Sequence, residues 1–138
     1  MDKQIFYPVI ALALQTAVIV FYLGARRIRA VKRGEASVDY FRTFSSEPPR
    51  DTRAIQAERN VKNLFEAPVL FYVACLAAVQ AGAVDPWLVG LAWAYVAIRA
   101  GHSLIHLTFN RLRHRFRAFA LSWVVLIAIW AKFTSSLL

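Results

Sequence analysis

The stretch RNVKNLFEAP, from Arg59 to Pro68, decides how this 138-residue chain folds, because it leads polar side chains into a long apolar segment. At about 100° per residue in a helix, Asn63 lies roughly 40° and Glu66 roughly 20° from the direction of Arg59, so the three share one face. Residues 67–84, which follow, are almost wholly apolar. A run of this length crosses most of a bilayer, and Glu66 is therefore predicted to lie inside a membrane helix.

The position of Glu66 predicts a site where another group is bound. A carboxylate near the bilayer interior costs about 3 kcal/mol on insertion scales and is rare unless it faces a partner, a cavity or a ligand. Pro68 lies two residues further on, where it removes one backbone hydrogen bond and is expected to kink the helix near Glu66. Such a kink frees a backbone carbonyl one turn back.

Composition identifies a small polytopic membrane protein. The chain is 59% hydrophobic, well above the content of a soluble domain of its size. Its net charge of +9 does not predict nucleic-acid binding, since ten of the 17 basic residues lie within residues 26–62 and five within residues 99–117. By the positive-inside rule these two regions face the cytoplasm and both termini face outward. A single cysteine, Cys75, excludes an intrachain disulfide.

Four spans in one domain, residues 1–138, account for the sequence, with helices predicted at about 4–32, 54–83, 86–110 and 114–137. The first is a retained helix and not a signal peptide, because its basic residues follow the apolar core. Residues 34–53 form a polar connection that contains Ser45, Ser46, Pro48 and Pro49. Asp51 or Thr52 is the predicted N-cap of the second helix, and a tight turn leads to Pro86. The short, simple chain suggests a bacterial inner membrane.

A second polar stripe follows the third helix. Arg99, His102, His106 and Asn110 are separated by 3, 4 and 4 residues and therefore share one face. The second and third helices are antiparallel neighbours, so the two stripes can meet at similar depth on the cytoplasmic side. Guanidinium and amide donors with one carboxylate suit a small anionic ligand that carries carboxylates and an ammonium group.

Three simpler interpretations stand beside this pocket. Glu66 and Arg99 could form a purely structural ion pair between helices. His102 and His106 have the spacing of a metal pair, but without a cysteine or matched acidic ligand the signal is weak, and no metal is expected. The basic hinge at residues 110–117 could simply contact anionic lipid headgroups.

The two stripes together resemble a known family. Arg59, Asn63 and Glu66, followed by Pro68, resemble the helix-two signature of the membrane-associated proteins in eicosanoid and glutathione metabolism, the MAPEG family. Arg99 and His102 before a basic turn resemble its helix-three counterpart. The resemblance covers essentially the whole chain and implies a microbial-type member: an all-α integral membrane four-helix bundle, assembled as a homotrimer. It also implies glutathione at each subunit interface and lipophilic small-molecule substrates that arrive through the membrane lipid.

Carried over by position, the resemblance implies roles for individual residues. The residues that would hold glutathione are Arg27, Arg59, Asn63, Glu66, Arg99, His102 and His106. An arginine just after the third helix would lie near the thiol, so Arg113 and Arg115 are the catalytic candidates, with Arg115 preferred. His106 departs from the pattern, because several relatives have a tyrosine there.

The implied activity is that of a glutathione transferase or peroxidase. Lowering the pKa of a free thiol by about two units requires roughly 2.7 kcal/mol of preference for the thiolate, which a partly desolvated guanidinium can supply. The thiolate would conjugate lipophilic electrophiles or reduce lipid hydroperoxides. The alternative is a non-catalytic membrane protein of the same fold that binds lipid or glutathione, since fold does not decide activity. A transporter is disfavoured, because the sequence has no internal repeat.

Overall fold

The computed structural model describes residues 2–43, 47 and 50–138, and this part of the chain is helical and contains no strand. A short 3-10 turn, Asp2–Ile5, leads into the first helix. The helices are α1 (Phe6–Lys32), α2 (Val38–Thr43), α3 (Thr52–Leu64), α4 (Ala67–Gln80), α5 (Pro86–Leu107) and α6 (Leu112–Ser135). Four segments are long and apolar enough to cross a membrane: Lys3–Lys32, Thr52–Gln80, Pro86–Leu107 and Leu112–Ser135. The prediction of an all-α membrane four-helix bundle is confirmed.

The polar connection after α1 contains a feature that the sequence pattern did not predict. The six-residue helix α2 forms inside this connection. A helix this short does not produce a recognisable apolar periodicity in the sequence. Ser45, Ser46, Pro48 and Pro49, which suggested an irregular connection, lie outside the described residues.

Acidic N-caps begin the second and third spans. The Asp51 carboxylate accepts a hydrogen bond from the Arg53 amide at 3.0 Å, so Asp51 and not Thr52 is the cap of α3. At the other end, the Asp85 carboxylate accepts from the Leu88 amide at 2.7 Å, and Pro86 occupies the first turn of α5 as predicted.

The second span is interrupted at Phe65 and Glu66. Helix α3 ends at Leu64 and α4 begins at Ala67, with Pro68 in the first turn of the new helix. A proline ring collides with the carbonyl of the residue four positions earlier, here Leu64, and has no amide hydrogen to give it. The predicted kink is therefore a complete break. A single helical face no longer runs continuously from Arg59 to Glu66.

The core joins the four spans through close packing of small and aromatic side chains. The rings of Phe71 in α4 and Tyr95 in α5 are stacked, with their centroids 4.7 Å apart. Ala74, Ala78 and Ala92 are fully buried beside them, and small residues of this kind let membrane helices approach closely. The stacked pair thus joins α4 to α5, while more of the α4 backbone lies close to α6 than to α5.

Candidate functional site

Arg99 is anchored to the helix break. Its side chain is fully buried, and Nη2 donates a hydrogen bond to the backbone carbonyl of Asn63 at 2.8 Å. In an uninterrupted α-helix that carbonyl would accept from the amide of Ala67, so the break supplies the acceptor. Nε and Nη1 of Arg99 have no hydrogen-bond partner in the described part of the chain. The guanidinium is therefore positioned by one nitrogen, and the other two are buried without a partner among the described residues.

A cavity of about 220 Å³ lies where the ends of α3 and α5 meet the start of α6. It is lined by Asn63, His102, Leu112, Arg115, Phe116 and Phe119. Nη1 of Arg115 donates to the side-chain oxygen of Asn110 at 2.8 Å, and Asn110 adopts a left-handed backbone conformation (φ 44°) at the turn before α6. The turn thus orients Arg115, which is the hinge arginine that lines the cavity. Arg113, the other candidate, is exposed.

The two histidines of the predicted stripe are buried next to each other. The rings of His102 and His106 meet edge to face, with centroids 5.8 Å apart, and His102 also lies near Phe119. Neither Nδ1 atom has a hydrogen-bond partner among the described residues. His102 lines the cavity, whereas His106, one turn further along α5, is not among the residues that line it.

A buried polar network beside Arg99 was missed by the sequence analysis. The amide of Gln15 donates both to the Arg99 backbone carbonyl, at 3.2 Å, and to the Ser103 hydroxyl, at 3.1 Å. That hydroxyl donates in turn to the side-chain oxygen of Asn60 at 3.2 Å. The signal was present in the stripe formed by Ala54, Ala57, Asn60 and Leu64, where an amide takes the place of an apolar residue. The network ties α1, α3 and α5 together.

Other predicted site residues lie apart from this cavity within one chain. Arg59 is exposed and lines a second cavity, of about 310 Å³, together with Glu58. Arg27 forms an ion pair with Glu58 at 3.5 Å and lies over the ring of Phe41. Glu66 is exposed and takes part in none of the ion pairs formed by the described residues. The purely structural pair between Glu66 and Arg99 is therefore absent here.

Comparison with known sequences shows the family of this chain. The sequence model of the MAPEG family matches residues 5–134. The chain belongs to the MAPEG family. MAPEG proteins are glutathione-related membrane enzymes or binding proteins and are generally trimeric. No curated protein and no solved structure matches the chain significantly.

The residues of this MAPEG chain are suited in character to glutathione, an anionic tripeptide. Arg99 presents two buried donors without partners, and Asn63, His102 and Arg115 line the adjoining cavity. Its volume of about 220 Å³ is smaller than the roughly 300 Å³ at which ligand pockets usually begin. The cavity of one chain therefore matches a part of the tripeptide in size.

Proposed function

We propose that this MAPEG protein is a glutathione-dependent membrane enzyme that conjugates lipophilic electrophiles or reduces lipid hydroperoxides. The observation that carries the proposal is the cavity in which Arg115, Asn63 and His102 meet, together with the buried Arg99, which is hydrogen-bonded to the Asn63 carbonyl. Glutathione supplies, when bound, a thiol that acts as a nucleophile or reductant once deprotonated.

Different residues would bind the two ends of the ligand. Arg99 is buried and rigidly held, so its Nε and Nη1 groups suit a carboxylate, for which charge-assisted hydrogen bonds are strongest. Arg115 is held by Asn110 at the cavity wall and can hold negative charge on a sulfur atom there. Removing the sulfur proton at neutral pH needs about 2.7 kcal/mol of stabilisation, within the reach of one partly desolvated guanidinium.

The apolar walls of the cavity would bind the lipophilic substrate. Phe116 and Phe119 lie on α6 beside Arg115, and Phe116 and Leu112 are also exposed at the outer surface of the helix. A lipophilic substrate dissolved in the bilayer could thus reach the sulfur without crossing water. Aromatic walls also exclude water, which strengthens the effect of Arg115.

The proposal also includes the oligomeric state of the protein and its orientation in the membrane. We place glutathione at the interfaces of a homotrimer, in which a neighbouring chain would enlarge the small cavity and bring in Arg27, Arg59 or Glu66, whereas His106 stays packed against His102 of its own chain. The basic ends of the spans face the cytoplasm and both termini lie outside, by the positive-inside rule. A microbial-type member with residues 1–138 as one domain belongs in a bacterial inner membrane.

The test measures binding and thiolate formation separately. Glutathione is titrated into the purified protein in detergent, with calorimetry for affinity and ultraviolet difference absorbance for the thiolate. Arg115→Ala is expected to remove most of the thiolate signal while weakening affinity less than tenfold, because other residues hold the carboxylates. Arg117→Ala removes an equal charge from an exposed position on the same helix and is expected to change neither measurement. Turnover is followed with an aryl halide and a lipid hydroperoxide.

The other outcomes each contradict part of the proposal. Loss of the thiolate in Arg113→Ala, with the signal intact in Arg115→Ala, would assign the catalytic role to Arg113. Binding without a thiolate signal or turnover would identify a non-catalytic glutathione-binding protein. Absence of any glutathione binding would refute the proposal and leave a lipid-binding member of the same fold.

A further inference from the structure

A cleft at the basic end of α1 is separate from the glutathione cavity. Its volume is about 340 Å³, and it is lined by Arg27, Ile28, Val31, Lys32 and Phe41. All but Phe41 belong to α1, and Phe41 belongs to the short helix α2. The Arg27 guanidinium lies 5.2 Å from the centre of the Phe41 ring and holds α2 beside α1. The cleft is therefore the space between these two helices, outside the four-helix core.

The cleft lies at the depth where lipid headgroups meet acyl chains. Helix α1 has 27 residues and is about 40 Å long at 1.5 Å per residue, whereas the hydrocarbon core of a bilayer is about 30 Å thick. Its uncharged part, residues 6–25, is about 30 Å long by the same measure and fills the hydrocarbon core. Residues 27–32 consequently project into the headgroup layer, and Ile28 is exposed there with apolar surface.

Positive charge around this apolar cleft is only partly neutralised. Arg26 and Arg27 have acidic partners, at 2.6 Å and 3.5 Å respectively. Arg29, Lys32 and Arg33 take part in none of the ion pairs found within the described ranges. The segment that follows α1 contains two acidic residues, Glu35 and Asp39, which are fewer than these three cations. Neither of them belongs to an ion pair in those ranges.

We infer that this cleft binds one anionic phospholipid, with its headgroup at Lys32 and the upper part of an acyl chain between Ile28, Val31 and Phe41. A zwitterionic lipid matches the apolar walls but not the excess of positive charge. A soluble phosphate matches the charge but leaves the apolar walls in water. This inference does not depend on the glutathione chemistry.

The test compares lipids and matched variants of the full chain. Native mass spectrometry of the detergent-solubilised protein, titrated with an equimolar mixture of phosphatidylglycerol and phosphatidylcholine with identical acyl chains, gives the ratio of the two bound lipids. Lys32→Gln and Phe41→Ala are expected to lower the preference for phosphatidylglycerol at least threefold. Arg33→Gln removes an equal charge one residue away, and Val38→Ala truncates an exposed residue of α2; neither lines the cleft, and both are expected to retain the preference.

Two results would overturn the inference, and one control guards against misfolding. Equal losses in Lys32→Gln and Arg33→Gln, with none in Phe41→Ala, would show diffuse attraction by a basic surface. Competition by glycerophosphate at the same concentration as the lipid would show a headgroup site without acyl contact. Each variant must keep the wild-type gel-filtration profile and far-ultraviolet circular dichroism spectrum, and a variant that fails is replaced by Lys32→Met or Phe41→Leu, judged by the same criteria.

Discussion

Replacing the Ser103 hydroxyl tests whether the buried polar network stabilises the helix arrangement around Arg99. Ser103→Ala removes one hydrogen bond accepted from Gln15 at 3.1 Å and one donated to Asn60 at 3.2 Å. Interhelical hydrogen bonds in membrane proteins contribute about 0.6 kcal/mol each on average, so the two account for about 1.2 kcal/mol. The buried oxygen of Asn60 is also left without a donor, which adds to the loss. We expect destabilisation of about 1 to 2 kcal/mol.

Ser122→Ala is the matched control for this prediction. Ser122 is fully buried, but its hydroxyl donates at 2.7 Å to the Phe119 carbonyl of its own helix. Alanine has a higher helix propensity than serine by about 0.5 kcal/mol, and this gain applies to both variants and cancels between them. The difference between the two variants therefore reports the contacts between helices.

Unfolding in mixed micelles measures both variants. Sodium dodecyl sulfate is titrated into detergent-solubilised protein, and the fluorescence of the four tryptophans follows unfolding. A double-mutant cycle between Ser103→Ala and Asn60→Ala is expected to give a coupling of about 0.6 kcal/mol. If Ser103→Ala and Ser122→Ala differ by less than about 0.3 kcal/mol, the network does not carry the stability assigned to it.

Three further predictions concern the break inside the second span and the N-caps of the second and third spans. Pro68→Ala is expected to extend the helix through Glu66, raising far-ultraviolet helicity and weakening glutathione binding because Arg99 loses its carbonyl acceptor; unchanged helicity would refute the role of the proline. Asp51→Ala removes the cap and is expected to destabilise by about 1 kcal/mol, whereas Asp51→Asn keeps the cap, loses only the ion pair and costs less, both read from the same micelle titrations. The hydrogen bond from Lys132 lowers the pKa of the Asp85 carboxyl. The ionised carboxylate therefore stabilises the fold above the unfolded-state pKa, and this stability is lost as pH falls through the lower folded-state pKa. Lys132→Met is expected to reduce the fall in unfolding temperature at acidic pH, measured by thermal unfolding.

Much of the candidate site could be predicted because helical periodicity is a local property. The stripe at Arg99, His102 and His106 lies on one buried face of α5, as its spacing requires. The stripe through Arg59 and Glu66 was less predictable, because the break at residues 65–66 changes the direction of every side chain beyond it. A proline pattern indicates that a helix bends but not by how much.

The sequence by itself determined the four spans and limited the cap of the second span to Asp51 or Thr52, because hydrophobic length and capping depend on residues close together in the chain. Only the tertiary structure decided that Arg115 and not Arg113 lines the cavity, that Arg99 binds the carbonyl freed at Asn63, and that Asn60 joins a network with α1 and α5. These contacts depend on the rotation of each helix about its own axis relative to its neighbours. Neighbouring hinge arginines are chemically identical, and packing between helices sets which one faces inward.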